Sequence, residues 1–294
     1  MKIKQIVFSA FLFLTFLLIS QFSQAQNNID TGKVYIIIKN DGSEFIGKII
    51  SIDVREIILE SQKLGSIAIP KHEIKEIKKL ESGDLGTAGT FIPNEPFATR
   101  YFITTNGLPI AKGESYITFN WFGPDLQYGL ADNFGVGVIT TWAGSPIIFT
   151  SKYSFEMDKN VNGAVGLLLS FGGWASNFSS AIPFGSITIG DRKSNITGSL
   201  GYGSISGIGN INGGRTIVSI AAMHKMSKSL SLVFDSFILP ASNLGSKNNF
   251  ALYLPGLRFQ TSETSAFQFG FARLKYGVET FTFPFPYVQW FRKF

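Results

Sequence analysis

Few side chains in this chain could carry covalent chemistry: two histidines, His72 and His224, and no cysteine among 294 residues. Without thiols there is no disulfide framework, no thiolate nucleophile and no cysteine-based metal site. A Ser-His-Asp/Glu arrangement would have to use His224. Its sequence neighbours Ala222, Met223 and Lys225 supply neither acid nor nucleophile, and it adjoins the polar turn Met226-Ser227-Lys228. The expected role is a histidine in a polar rim. No metal-ligand cluster, P-loop or dinucleotide fingerprint occurs; Gly201-Tyr202-Gly203-Ser204-Ile205-Ser206-Gly207 ends a strand instead of opening a helix, so it reads as loop. The chemistry predicts no catalytic, cofactor-binding or metal-binding residue and a chain that is not an enzyme.

The elements carry a stronger signal. From about Tyr116 to Phe294, strands of alternating apolar and small or polar residues are separated by short polar turns: Ala131-Asp132-Asn133, Asp158-Lys159-Asn160, Asp191-Arg192-Lys193, Ser227-Lys228 and Ser262-Glu263-Thr264. Strand side chains alternate with period two. Phe267, Phe269 and Phe271 therefore share one face, and Ala266, Gln268, Gly270 and Ala272 the other. Likewise Phe149, Tyr153 and Phe155 oppose Thr150, Lys152, Ser154 and Glu156, and Leu230, Leu232 and Phe234 oppose Ser229, Ser231 and Asp235. The connections at the opposite strand ends are longer and rich in Gly, Ser and Asn, as in 172–177 and 206–210. Short turns at one end and long loops at the other are how bacterial barrels are built. A soluble sandwich or lipocalin-like barrel has the same alternation with the apolar face turned inward.

The N-terminus favours the membrane. Residues 1–25 have Lys2 and Lys4, an apolar core from Ile6 to Ile19 and a Ser23-Gln24-Ala25 ending, the pattern of a signal peptide cleaved between Ala25 and Gln26. No later stretch approaches 18 continuous apolar residues, so membrane crossing would need strands that close on themselves. The formal charge of +6 arises largely after residue 85, where fifteen basic residues face ten acidic ones; 26–85 is near neutral. A scattered excess of this kind is ordinary, though it would favour contact with acidic lipopolysaccharide.

Residues 26–81 differ in character, with short strands and dense charge: Val34 to Lys39, the turn Asn40-Asp41-Gly42, Glu44 to Ile52, Glu56 to Ser61, Ser66 to Ile69 and Ile74 to Leu80. Asn-Asp-Gly between apolar runs is a hairpin signal. Asp41-Gly42, Gly47, Asp53, Ile57-Ile58-Leu59, Ile69, Ile74 and Ile77 resemble the Sm-like (SH3-like) fold in their spacing, which implies a small five-stranded open barrel. Ile57 stands where Sm-like RNA binders carry Asn, and Pro70-Lys71 where they carry Arg-Gly. Together with the neutral charge and few aromatics, this predicts no nucleic-acid partner. A periplasmic domain that contacts a protein or peptidoglycan is expected instead. Residues 82–113, with Gly83, Gly86, Gly89, Pro93 and Pro96, read as linker and lead-in.

Twelve strands are expected in 114–294, from Tyr116–Trp121 to a last one ending at Phe294. The even count returns both barrel ends to the periplasmic side. The stretch 128–137 resembles a hairpin common in outer-membrane barrels. The C-terminus, with Val288, Trp290 and Phe294 on one face, resembles their assembly signal, which implies contact with the barrel-insertion machinery; Arg292 departs from it. An omptin-like protease would need paired Asp with an Asp-His couple at the outer rim, where Asp235 is nearly alone. Small inward positions, including Gly135, Gly137, Ala164, Gly166, Ser154 and Gly270, predict a lumen that is not densely filled, short of the wide porins, unless 91–113 plugs it. Trp142, Trp174, Phe178 and Phe184 read as an aromatic girdle. The expectation is an all-β chain with a small five-stranded domain and a transmembrane barrel of about twelve strands in the outer membrane, acting as a narrow pore or anchor without cofactor. The alternatives are a lipid-modifying outer-membrane enzyme using His224 and a surface-bound adhesion protein.

Overall fold

A computed structural model describes residues 29–61, 64–80, 84–85, 91–174, 179–206, 213–240, 249–277, 279–280 and 285–294. The expected signal peptide and its expected cleavage site at Ala25/Gln26 lie outside the described residues, as does Phe178. The chain divides into two compact units, Met1–Gly83 and Asp84–Phe294.

The first unit is one antiparallel sheet of β1 (Val34–Lys39), β2 (Glu44–Ile52), β3 (Glu56–Ser61), β4 (Gly65–Pro70) and β5 (Ile74–Lys79), in the order β4-β3-β2-β1-β5. The β1–β2 turn is closed by Gly42 at φ 85°, a left-handed conformation that glycine adopts without penalty, and by the Asp41 carboxylate accepting from the Ser43 amide. Tyr35, Ile37, Ile49, Ile57, Leu59 and Ile69 form its core.

The second unit is a closed antiparallel barrel. Its strands are β6 (Ser115–Asn120), β7 (Pro124–Ala131), β8 (Phe134–Thr140), β9 (Ile147–Asp158), β10 (Val161–Phe171), β11 (Ser179–Gly190), β12 (Ser194–Ser206), β13 (Gly213–Lys225), β14 (Leu230–Leu239), β15 (Phe250–Ser262) and β16 (Ser265–Tyr276), then the two-residue β17 (Glu279–Thr280) and finally β18 (Phe285–Lys293). Each neighbours the next; β17 pairs only with β16, and β18 pairs with both β16 and β6. Twelve strands thus close the barrel, as the sequence predicts, and closure leaves no edge unpaired.

The five polar turns fall together at one rim, with the start of β6 and the end of β18. At the β9–β10 turn Asn160 takes φ 61°, which Asn tolerates better than most residues. The alternation holds: Phe267 and Phe271 are 40% and 45% exposed, whereas Ala266 and Gln268 on the opposite face are fully buried. Phe149, Tyr153, Leu232 and Phe234 also face outward, while Lys152, Ser154, Ser231 and Asp235 face in. Charge and hydroxyls inside with aromatics outside is the inverse of a soluble barrel.

Candidate functional site

The lumen is filled by the chain itself. The segment preceding β6 meets the short-turn rim where Asp84 pairs with Lys193 and the Glu95 amide donates to the Arg192 carbonyl at 3.1 Å. It then turns inside the barrel, where Phe97, Ala98, Tyr101, Phe102, Leu108 and Ile110 are almost wholly buried. Residues 91–113 are therefore a plug, the alternative that the sequence leaves open beside its reading as linker and lead-in.

The wall is built to receive it. Small residues make the space: a Cβ on Gly256 or Gly270 would lie 2.5 or 2.6 Å from the Phe102 ring, closer than atoms can approach. Polar wall residues satisfy the plug's irregular backbone, which has no water to turn to. The Asp235 Oδ2 accepts from the amides of Phe102 (3.1 Å), Ile103 (2.7 Å) and Thr104 (2.9 Å), and its Oδ1 accepts from the Thr104 hydroxyl (2.6 Å). The Arg258 guanidinium donates to the Phe97 and Arg100 carbonyls at 2.8 and 2.6 Å, and to Gln268 Oε1. Gln268 and Gln289 continue the row to the carbonyls of Tyr101 and Phe102. Opposite them, the Lys152 ammonium donates to Asn106 O (3.0 Å), Leu108 O (2.8 Å) and Thr105 Oγ1 (3.2 Å).

Buried charges are matched. Glu95 accepts from Lys225 Nζ (3.0 Å) and Ser231 Oγ (2.8 Å), with Arg258 at 3.8 Å, and Arg100 pairs with Asp125. A charge taken out of water needs such partners. At the rim Glu114 is clamped between Arg192 (3.0 Å) and Lys293 (2.8 Å). Burial opposes its ionisation, but the hydrogen bonds and charges of Arg192 and Lys293 prevail and hold its carboxyl down to about 2.

Toward the long-loop end the inward side chains turn apolar: Ile139, Ile148, Leu168, Ile182, Phe184, Ile217 and Phe237 line a cavity of about 450 Å³ above the plug. Phe184 therefore belongs to the lumen and not to a girdle. Trp142 and Trp174 are exposed near that end, Trp142 bonded to the carbonyls of Asn120 and Trp121. Val288 and Trp290 lie along β18 and Phe294 directly follows it, with Trp290 and Phe294 exposed. The small inward positions that predicted an unfilled lumen do admit contents: Gly270 abuts Phe102 and Gly135 abuts Ile110. The sequence signal for the apolar half was present in Ile147-Ile148-Phe149 and Leu167-Leu168-Leu169, where alternation gives way to apolar residues on both faces.

A closed twelve-stranded antiparallel barrel with an apolar exterior, a polar interior and asymmetric connections defines a transmembrane β-barrel of the outer-membrane class. No protein-family model matches the sequence, and no curated protein matches it. The chain is similar in fold to OmpT, an outer membrane protein of Vibrio cholerae, in a loop L8 deletion form: TM-score 0.42, 8% identity, 89% of this chain and 96% of that one covered. Two further OmpT structures, expressed in the outer membrane and folded in vitro, match at TM-scores of 0.39 and 0.38 with 8% and 9% identity, covering 90% and 89% of this chain and 95% of theirs.

The expectation of a chain that is not an enzyme is corrected at its premise. It rested on His224 having no nucleophile beside it, yet Ser194, on the adjacent strand, places its Oγ 2.6 Å from His224 Nδ1 at the short-turn rim. A hydroxyl bonded to an imidazole is one of the pairings from which an activated nucleophile can be built. The nearby Asp191 carboxylate accepts from the amides of Lys193 and Ser194. Among the described residues no group of three or more His, Asp or Glu could hold a metal.

Proposed function

We propose that this protein is an integral outer-membrane barrel that is closed at rest by its own segment 91–113 and anchors its small N-terminal domain on the periplasmic side. The observation that carries the reading is the plug: wall residues Lys152, Asp235, Arg258, Gln268 and Gln289 all bond its backbone. A narrow pore is then a state reached only when the plug moves. The short turns and both barrel ends face the periplasm, as in bacterial barrels, and the outer face meets lipid and lipopolysaccharide. The Val288, Trp290 and Phe294 face is offered to the insertion machinery. The domain bounded by 26–81 keeps the Sm-like reading, with a periplasmic protein or peptidoglycan as its partner.

Fractionation tests the membrane assignment: the protein should require detergent for extraction and shift in mobility when heated before electrophoresis. Planar-bilayer recording tests the plug. The intact protein should show no steady conductance and a chain lacking 93–112 should show open channels; steady conductance of the intact protein would overturn the closed-at-rest reading.

A further inference from the structure

The outer half of the lumen is unlike the plugged half. Six inward side chains from five strands, Ile148, Leu168, Ile182, Phe184, Ile217 and Phe237, wall a cavity of about 450 Å³ whose floor is the plug itself, at Phe102 and Ile103. Such a volume is within the range of small-molecule sites, which are concave, mostly apolar and oriented by a few polar groups. Apolar side chains turned toward a lumen gain nothing from water, so their concentration here needs a reason that a water-filled channel does not supply.

The polar groups at this site are unusual in being unused. Ser199 and Ser219 are direct cross-strand partners on β12 and β13, both line the cavity, and both hydroxyls are buried with no hydrogen-bond partner. Arg100, also in the lining, pairs with Asp125 through Nη2 while its Nε is buried and unpartnered. Buried donors are ordinarily satisfied, and leaving one unpaired costs about 1–3 kcal/mol. Three unmet groups in the lining of an apolar chamber describe a receptor for an oxygen-bearing end of an apolar chain.

We infer that this cavity binds a single-chain amphiphile, its hydrocarbon lying among Ile148, Leu168, Ile182, Phe184, Ile217 and Phe237 and its carboxyl or hydroxyl end on Ser199, Ser219 and Arg100 Nε. Arg100 and Asp125 neutralise each other, so the site recognises the end through hydrogen bonds more than through net charge. The plug makes the site, because without Phe102 and Ile103 the chamber has no floor.

Binding of radiolabelled dodecanoic acid to the full-length protein, held in an amphipathic polymer free of alkyl detergent, tests this. Saturable binding of one molecule per chain is expected. Leu168→Trp, which fills the chamber, should weaken it by at least about tenfold, whereas Leu167→Trp, on the lipid face of the same strand, should leave it unchanged. Ser199→Ala with Ser219→Ala should weaken binding several-fold and narrow the advantage of dodecanoic acid over dodecane. Absence of saturable binding, or equal loss in Leu167→Trp and Leu168→Trp, would sink the proposal. The serine pair is a small change that keeps the test valid if the tryptophan variants fail to fold. Heat-modifiability is read on every sample, so failure of the ligand site is distinguished from failure of the barrel assignment.

Discussion

Asp235 accepts four hydrogen bonds from three consecutive plug residues. Replacing it with Ala strands those donors in a buried setting, at about 1–3 kcal/mol for each group left unpaired. Asp235→Ala should therefore leave the barrel folded but expose the plug, read as new protease cleavage within 91–113 at a temperature where the parent resists. Glu114 gives a pH prediction. Its folded carboxyl is held down to about 2 against an ordinary 4.5, so its contribution is fully present above about pH 4.5 and is lost as pH falls toward 2. The rim contact among Glu114, Arg192 and Lys293 should loosen across that window. Thermal stability of Glu114→Gln should then be lower than the parent's at pH 7 and converge on it near pH 2; equal stability at pH 7 would remove Glu114 from this role. Neither role is legible in sequence, because the partners are 78 and 179 residues from Glu114 and more than 130 from Asp235.

The plug and the strands around it were shaped to one another. Gly256 and Gly270 sit opposite each other on β15 and β16 where the Phe102 ring rests. Gly270→Leu should expel that ring and, at a cost on the order of 1–3 kcal/mol for overpacking, raise the frequency of brief openings in planar bilayers relative to the parent. An unchanged record would mean that Phe102 is not a gate element. The strands themselves were legible: the turns, the alternation and the count of twelve all follow from period-two patterning and turn chemistry, which are local properties. The plug was not, since it has no periodicity and its hydrogen bonds run to wall side chains instead of along a ladder.

For the whole molecule, the exposed aromatic and aliphatic exterior of the barrel predicts partition into membranes that survives urea or carbonate washing and yields only to detergent. Recovery of the full chain in a soluble fraction would refute it. Closure is what makes this exterior compatible with lipid, because each of the twelve strands that form the barrel finds two neighbours. From sequence alone came the all-β class, the hairpin rhythm and the inward and outward faces, for each is written in near neighbours along the chain. What only the tertiary structure decided is the content of the lumen. The cradle around Asp235, the charge cluster of Glu95, Lys225 and Arg258, and the apolar chamber all join residues far apart in the chain. Barrel closure alone brings them within reach, and no local pattern encodes which inward residues will meet across the interior.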